Sequence, residues 1–245
     1  MSKDTMSIDE AIGTEEIVTG APSGTLQTMT NAGVVGQVDR EDVRFPKIQI
    51  VQGVGPLSER DEFKKGDIIL DGETRIGGNG DGVEITVLQI GKQFEEVVPY
   101  DGDDIPRIVD TKEEVLKLGG TTEGHRDGGK WVGPTWRAIA DAMVCIEAPK
   151  GIDKDQLDVA FPFEAPKSKG KFTFARWVIK GVAYKSAAVE IFSAASMYYR
   201  DGLRKGTFRV DTTKRTFGPN TVMVPTVRKG KRNDPEFSSW LSEFA

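Results

Sequence analysis

One cysteine and one histidine in 245 residues leave this chain little metal or redox chemistry. Cys145 alone cannot form an internal disulfide, and such cysteine usage points to a reducing cytoplasm. With only His125 beside it, no His/Cys zinc cage can be assembled, so a metal would need oxygen ligands. No run approaches the ~20 apolar residues of a membrane helix. Met1 to Gly20 carries acids and no apolar core segment, which argues against a signal peptide. No glycine-rich loop runs into Lys-Ser or Lys-Thr, which excludes a P-loop. Gly77 to Val83 matches one copy of a calcium-binding nonapeptide, and one copy cannot stack. Asp101, Asp103 and Asp104 begin like an EF-hand loop with the glycine misplaced. Both read as turns. His125 in a Gly/Asp-rich loop and Cys145 in mid-strand lack the oriented partner that nucleophilic catalysis requires. No catalytic residue, metal or cofactor is therefore assigned.

What is present is an ordinary apolar content of 38% and 28 glycines, the composition of a soluble, loop-rich protein. Residues 1–40 hold six acids against two bases and no aromatic, and read as a disordered acidic arm. Residues 41–232 read as a single β-rich domain with an insertion at about 100–130. Residues 233–245 form an acidic, aromatic tail.

Within the domain, Pro46 to Gln52, Gly66 to Leu70 and Val83 to Ile90 read as strands, the last through its alternating Val83, Ile85 and Val87. Thr111 to Leu118 predicts a short helix capped by Thr111 and stopped by Gly119-Gly120. Asp141 to Glu147 returns to strand, and Pro149 to Gly170 reads as extended connection. Phe172 to Ile179 is a strand with Phe172, Phe174 and Arg176 on one face and Thr173, Ala175 and Trp177 on the other. Ser186 is expected to cap a helix closed by Gly202 and Gly206. Thr207 to Thr212 and Thr221 to Val227 complete the set around a turn at 218–220. Seven or eight strands and one prominent helix predict a β-rich α+β fold, a small OB-like barrel with extra strands.

The charge is unevenly divided. Lys167 to Arg232 contains sixteen Lys or Arg and three acids, a balance of +13, while the rest of the chain carries −18. Nine of the twenty aromatics lie in the same stretch. Cations track phosphates, and aromatic faces stack on unpaired bases. The strand from Phe172 is flanked by Lys169, Lys171 and Lys180. It is expected to stack bases on Phe172, Phe174 and Trp177 while Arg176 meets phosphate. Further cations cluster at turns and strand ends: Arg204 and Lys205, Lys214 and Arg215, then Arg228, Lys229, Lys231 and Arg232. The competing reading is that these cations pair with the acidic remainder of the chain, and that the aromatics belong to the core. Two other functions remain open. One is a virion or assembly protein that uses the basic region between subunits. The other is a metal-dependent nuclease built on Asp158, Glu164 and Lys167.

Phe237, Trp240, Leu241 and Phe244 recur at helical spacing in the tail. They can pack on the domain, compete for the basic groove, or present Phe237, Trp240 and Phe244 to a partner. With Phe172 to Lys180, the basic turns, this tail and the opening Phe45-Pro-Lys-Ile-Gln-Ile-Val-Gln-Gly53, the chain resembles OB-fold single-stranded DNA-binding proteins, especially phage-encoded ones. The resemblance implies a non-enzymatic role in DNA replication or recombination, in the bacterial host cytoplasm. It also implies single-stranded DNA (or RNA) as partner, replication or recombination proteins meeting the tail, and possible self-association.

Overall fold

The computed structural model describes residues 44–99, 104–167, 170–218 and 220–244. The acidic arm at 1–40, the acidic loop at 101–103 and Lys169 lie outside them. The described chain folds into strands β1 (Ile48–Ile50), β2 (Asp67–Leu70), β3 (Thr74–Gly78), β4 (Val83–Glu96), β5 (Ile108–Val109), β6 (His125–Asp127), β7 (Lys130–Val132), β8 (Trp136–Glu147), β9 (Phe163–Glu164), β10 (Lys171–Ile179), β11 (Gly206–Phe217) and β12 (Asn220–Arg232). The helices are α1 (Lys112–Lys117), α2 (Lys154–Ala160), α3 (Val189–Met197) and α4 (Pro235–Leu241). No helix among the described residues is long and apolar enough to cross a membrane.

The 7-stranded main sheet is antiparallel and ordered β12-β11-β4-β8-β10-β9, with β5 paired to β4. Strands β4, β8 and β10 follow in succession, and the chain then crosses through α3 to lay β11 beside β4. That is Greek-key order. The alternation read at Val83, Ile85 and Val87 buries those side chains, with Ala142 and Val144 of β8 and Ala175, Trp177 and Ile179 of β10, in one core beneath α3. A bulge between Val87 and Gln89 shifts the alternation of β4, so that Leu88 joins the outer cluster with Cys145 and Ile90, not Gln89, returns to the main core.

Closure of the barrel is not observed. β10 and β12 do not pair; the segment expected as the first strand lies between them. The Arg176 N–H donates to the Pro46 carbonyl at 2.8 Å, and Lys47 bridges Arg176 in parallel. On the other side, the Gln52 side-chain amide donates to the Met223 carbonyl at 2.9 Å while its Oε1 accepts the Met223 N–H at 3.0 Å. The 3-stranded sheet β1-β2-β3 carries this segment and adds Ile48, Ile68, Leu70 and Ile76 to the core.

Local expectations fare unevenly. Thr111 caps α1 in a reciprocal box: Oγ1 accepts from the Glu114 N–H at 3.2 Å, and Glu114 accepts from the Thr111 N–H at 3.1 Å. Ser186 is no cap. It sits inside a π-helical turn, Tyr184–Ala188, and its hydroxyl points back at the Val182 and Ala183 carbonyls. α2 lies in the stretch read as extended. Pro149 and Pro162 flank this helix rather than interrupt it, and Asp153 caps it. β3 and the β6–β7 hairpin fall in segments read as turn and loop, because runs of three to five residues show no clear period. α3 ends at Met197, short of Gly202 and Gly206; Gly206 closes only the 3-10 turn Leu203–Lys205, where a Cβ would stand 2.1 Å from the Tyr199 ring, whose hydroxyl donates to the Thr207 carbonyl.

Candidate nucleic-acid interface

Strand β10 was expected to carry the site. Its charges are instead taken up by acids from the rest of the chain. Lys171 reaches Asp158 at 2.5 Å and Glu164 at 3.6 Å. The Asp158 hydrogen bond raises the Lys171 pKa, and Lys171 in turn lowers that of Asp158. Arg176 grips Asp141 with two nitrogens, at 2.8 and 2.7 Å, and the hydrogen bonds raise its pKa. Lys180 meets Glu95 at 2.9 Å. Pairing with the acidic remainder therefore describes β10. It also accounts for Asp158 and Glu164, which converge on a lysine, and for Lys167, which pairs with Glu236 at 2.8 Å.

The β10 aromatics are not offered to solvent either. Trp177 is 3% exposed in the inner core, which corrects its expected stacking role. Phe172 and Phe174 face outward as expected, but α4 lies over them. Phe174 packs at 4.5 Å from Phe244 and 5.9 Å from Trp240, and Phe172 at 5.0 Å from Phe237. Leu241 is fully buried among them. Side chains alternate across a strand, and with the inner face in the core and Phe172 and Phe174 under α4, none of the β10 aromatics is free. Asp234 caps α4 through the Glu236 N–H at 2.9 Å, and the Ser238 hydroxyl ties the helix to the domain by donating to the Arg204 carbonyl at 3.4 Å.

The cations of the β11–β12 hairpin present a different picture. Among the described residues, Lys185, Arg209, Lys214, Arg215 and Arg228 make no ion pair, and all five are exposed. Arg209 and Arg228 stand directly opposite each other on adjacent strands. Such like-charge pairs are unfavourable unless an anion neutralises them. Arg215 and Arg228 join Lys185 in lining a cleft of about 270 Å³ between the hairpin and the helical turn before α3; Glu190 is its one acid. Lys229 lies 3.9 Å over the half-exposed Tyr198 ring. Arg204 forms no ion pair among the described residues, and its carbonyl receives the Asn233 side chain at 2.8 Å. Lys205 and Arg232 share Asp201, and Lys231 reaches Glu84 at 3.8 Å. Of the expected phosphate contacts, then, Lys214 and Lys229 make no ion pair among the described residues but alternate to the other side of their strands from Arg215 and Arg228; those two arginines line one cleft, where Lys185 joins them and Arg209 stands opposite Arg228. Lys185 and Arg209 carried no sequence signal beyond their charge.

A second basin, about 720 Å³, opens on the outer face of β8 and β10 beyond α4. Arg44, Lys47, Lys92 and Arg176 line it against Asp110 and Asp141. Beside it, Glu95 is buried under Arg137 and Lys180. Burial pushes its pKa up, but the hydrogen bonds from Lys180 and Arg137 outweigh this and hold it below the ordinary glutamate value. A carboxylate with a depressed folded pKa adds stability above its unfolded pKa and loses it as pH falls through the folded value. Glu95→Gln is therefore expected to flatten the fall in melting temperature below about pH 4.5, read from melts across pH.

Cys145 is buried, and desolvation raises its thiol pKa far above the ordinary value, so it is no nucleophile. His125 lies exposed on β6. The feature that sequence reading passed over is Trp131, on β7 and 69% exposed. The signal available was a tryptophan beside a Gly-Gly turn in a charged loop. Comparison with protein-family models, curated proteins and solved structures finds no match to this chain.

Proposed function

We propose that this chain is a non-enzymatic single-stranded DNA-binding protein of replication or recombination, binding chiefly through the β11–β12 hairpin. The observation that carries this reading is the Arg209–Arg228 cross-strand pair beside a cleft that Lys185, Arg215 and Arg228 line with Glu190 as its one acid, while Glu84, opposite Arg209 on β4, is shared with Lys231. A cluster of this kind in a protein of net charge −5 is what a polyanion backbone would neutralise. The topology supports the same reading. A Greek key in the order β11-β4-β8-β10, a helix crossing from third to fourth strand, and a fifth strand on the fourth match an OB barrel opened between β10 and β12. The plug from Pro46 to Gln52 stands in for the missing closure.

The test is a titration of the full chain with oligo-dT across salt. Engagement of about five phosphates by these cations gives a slope of log K against log salt of about −3.5. No binding, or binding indifferent to salt, overturns the reading.

The tail enters here as a competitor. α4 sits on the outer face of β8 and β10, the face with which OB folds meet oligonucleotides, and covers two aromatic rings there. Trp240→Ala combined with Phe244→Ala is expected to lower the melting temperature and raise oligo-dT affinity several-fold. Unchanged affinity in a folded variant would assign the tail to packing alone.

A further inference from the structure

We infer that Trp131, on the β6–β7 hairpin, is a base-stacking platform for the single strand, with Arg126 beside it for the adjoining phosphate; this rests on the reading just proposed.

The four tryptophans differ sharply in placement. Trp136 and Trp177 are 2% and 3% exposed, Trp240 is half-buried in the tail cluster, and Trp131 is 69% exposed. An indole left in water is unusual for so large an apolar group. Its setting is nevertheless ordered. A Cβ on Gly124 would come within 2.3 Å of Trp131 Cζ2 and 2.8 Å of the Val132 carbonyl oxygen. Only glycine at 124 lets the ring lie against the backbone there, which seats one side of the indole and leaves the rest open.

The hairpin itself is held in register. Gly128 and Gly129 adopt φ of 53° and 84°, the two positive values that a tight two-residue hairpin turn requires. At its base, the Thr121 N–H donates to Thr135 Oγ1 at 2.7 Å and the Trp136 N–H to the Thr121 carbonyl at 2.9 Å. Two-stranded hairpins are marginal by themselves, and this latch ties the arm to β8.

Arg126 is the direct cross-strand partner of Trp131, so the two side chains share a face. Arg126 is exposed and makes no ion pair among the described residues. An open aromatic face and a guanidinium without an ion pair on one registered hairpin are the two groups a nucleotide needs, one for its base and one for its phosphate. The guanidinium beside the ring disfavours a purely apolar protein contact as the occupant.

The experiment compares full-length wild type, Trp131→Ala and Trp131→Phe in binding to oligo-dT and to an abasic oligomer of the same length. Far-UV circular dichroism checks the fold, and sizing follows self-association. Trp131→Ala is expected to weaken oligo-dT binding about ten-fold, with the salt slope unchanged, since one stacked base is worth about that much. Binding to the abasic oligomer should be equal for wild type and Trp131→Ala, and Trp131→Phe should recover most of the loss. If wild type binds oligo-dT and Trp131→Ala binds it equally, the stacking role is overturned while the nucleic-acid function stands. An equal loss on both oligomers also overturns it. So does retained binding with lost self-association, which would assign the ring to a protein contact. A wild type that does not bind oligo-dT removes the underlying function.

Discussion

Replacing Lys214, Arg215 and Arg228 together by Gln is expected to weaken oligo-dT binding about 100-fold at 0.1 M salt and to reduce the salt slope from about −3.5 to about −1.4. Each phosphate contact on a single strand contributes about 0.7 to the slope. Three contacts therefore account for about two decades between 0.1 M and 1 M salt. The side chains are exposed and form no ion pairs among the described residues, so their removal should leave the fold intact. It also dilutes the Arg209–Arg228 repulsion, so the melting temperature should hold or rise. The same number of substitutions on β10, at Lys171, Arg176 and Lys180, provides the contrast. Those cations hold Asp158, Asp141 and Glu95, so their loss should lower the melting temperature and change DNA affinity far less. Equal losses of affinity from both triple variants would show that the hairpin is not the principal contact.

Trp177→Ala is expected to cost about 3–5 kcal/mol of stability, because it empties the space of a large ring in the main core. For a chain of this size that lowers the melting temperature by about 10 °C. Oligo-dT affinity, measured well below the new melting temperature, should be unchanged. Trp177→Phe should recover part of the stability. The opposite result, a lost affinity with the melting temperature preserved, would return Trp177 to the contact surface and contradict its position beneath α3. The ring packs within the layer that contains Ala142, Val144, Ala175 and Ile191, and an internal cavity there cannot be filled by water without polar partners.

The two variants together show where sequence reasoning reached and where it stopped. Alternation along Phe172 to Ile179 correctly divided that strand into two faces. It could not say that α3 covers one face and α4 the other, since each cover comes from a segment distant in the chain. Net charge likewise identified a basic stretch. Three of its sixteen cations, Lys171, Arg176 and Lys180, are neutralised by Glu95, Asp141, Asp158 and Glu164, acids that register and crossover bring to β10. Trp131 and β3 escaped because short strands between glycines have no period to read.

The sequence by itself determined the β-rich class, the long strand at Val83, the capped helix at Thr111, the lack of disulfide and zinc chemistry, and the position of the basic stretch along the chain. These follow from local rules: side-chain period, capping chemistry and residue counts. Tertiary structure alone decided which cations are spent and which are left over, that Pro46 to Gln52 fills the gap between β10 and β12, and that the tail lies on Phe172 and Phe174. The physical reason is that charge compensation and burial are pairwise and long-range. A lysine next to a phenylalanine in sequence has the same composition whether its partner is an aspartate folded back from thirteen residues away, as for Lys171 and Asp158, or an open cleft, as for Arg215 and Arg228.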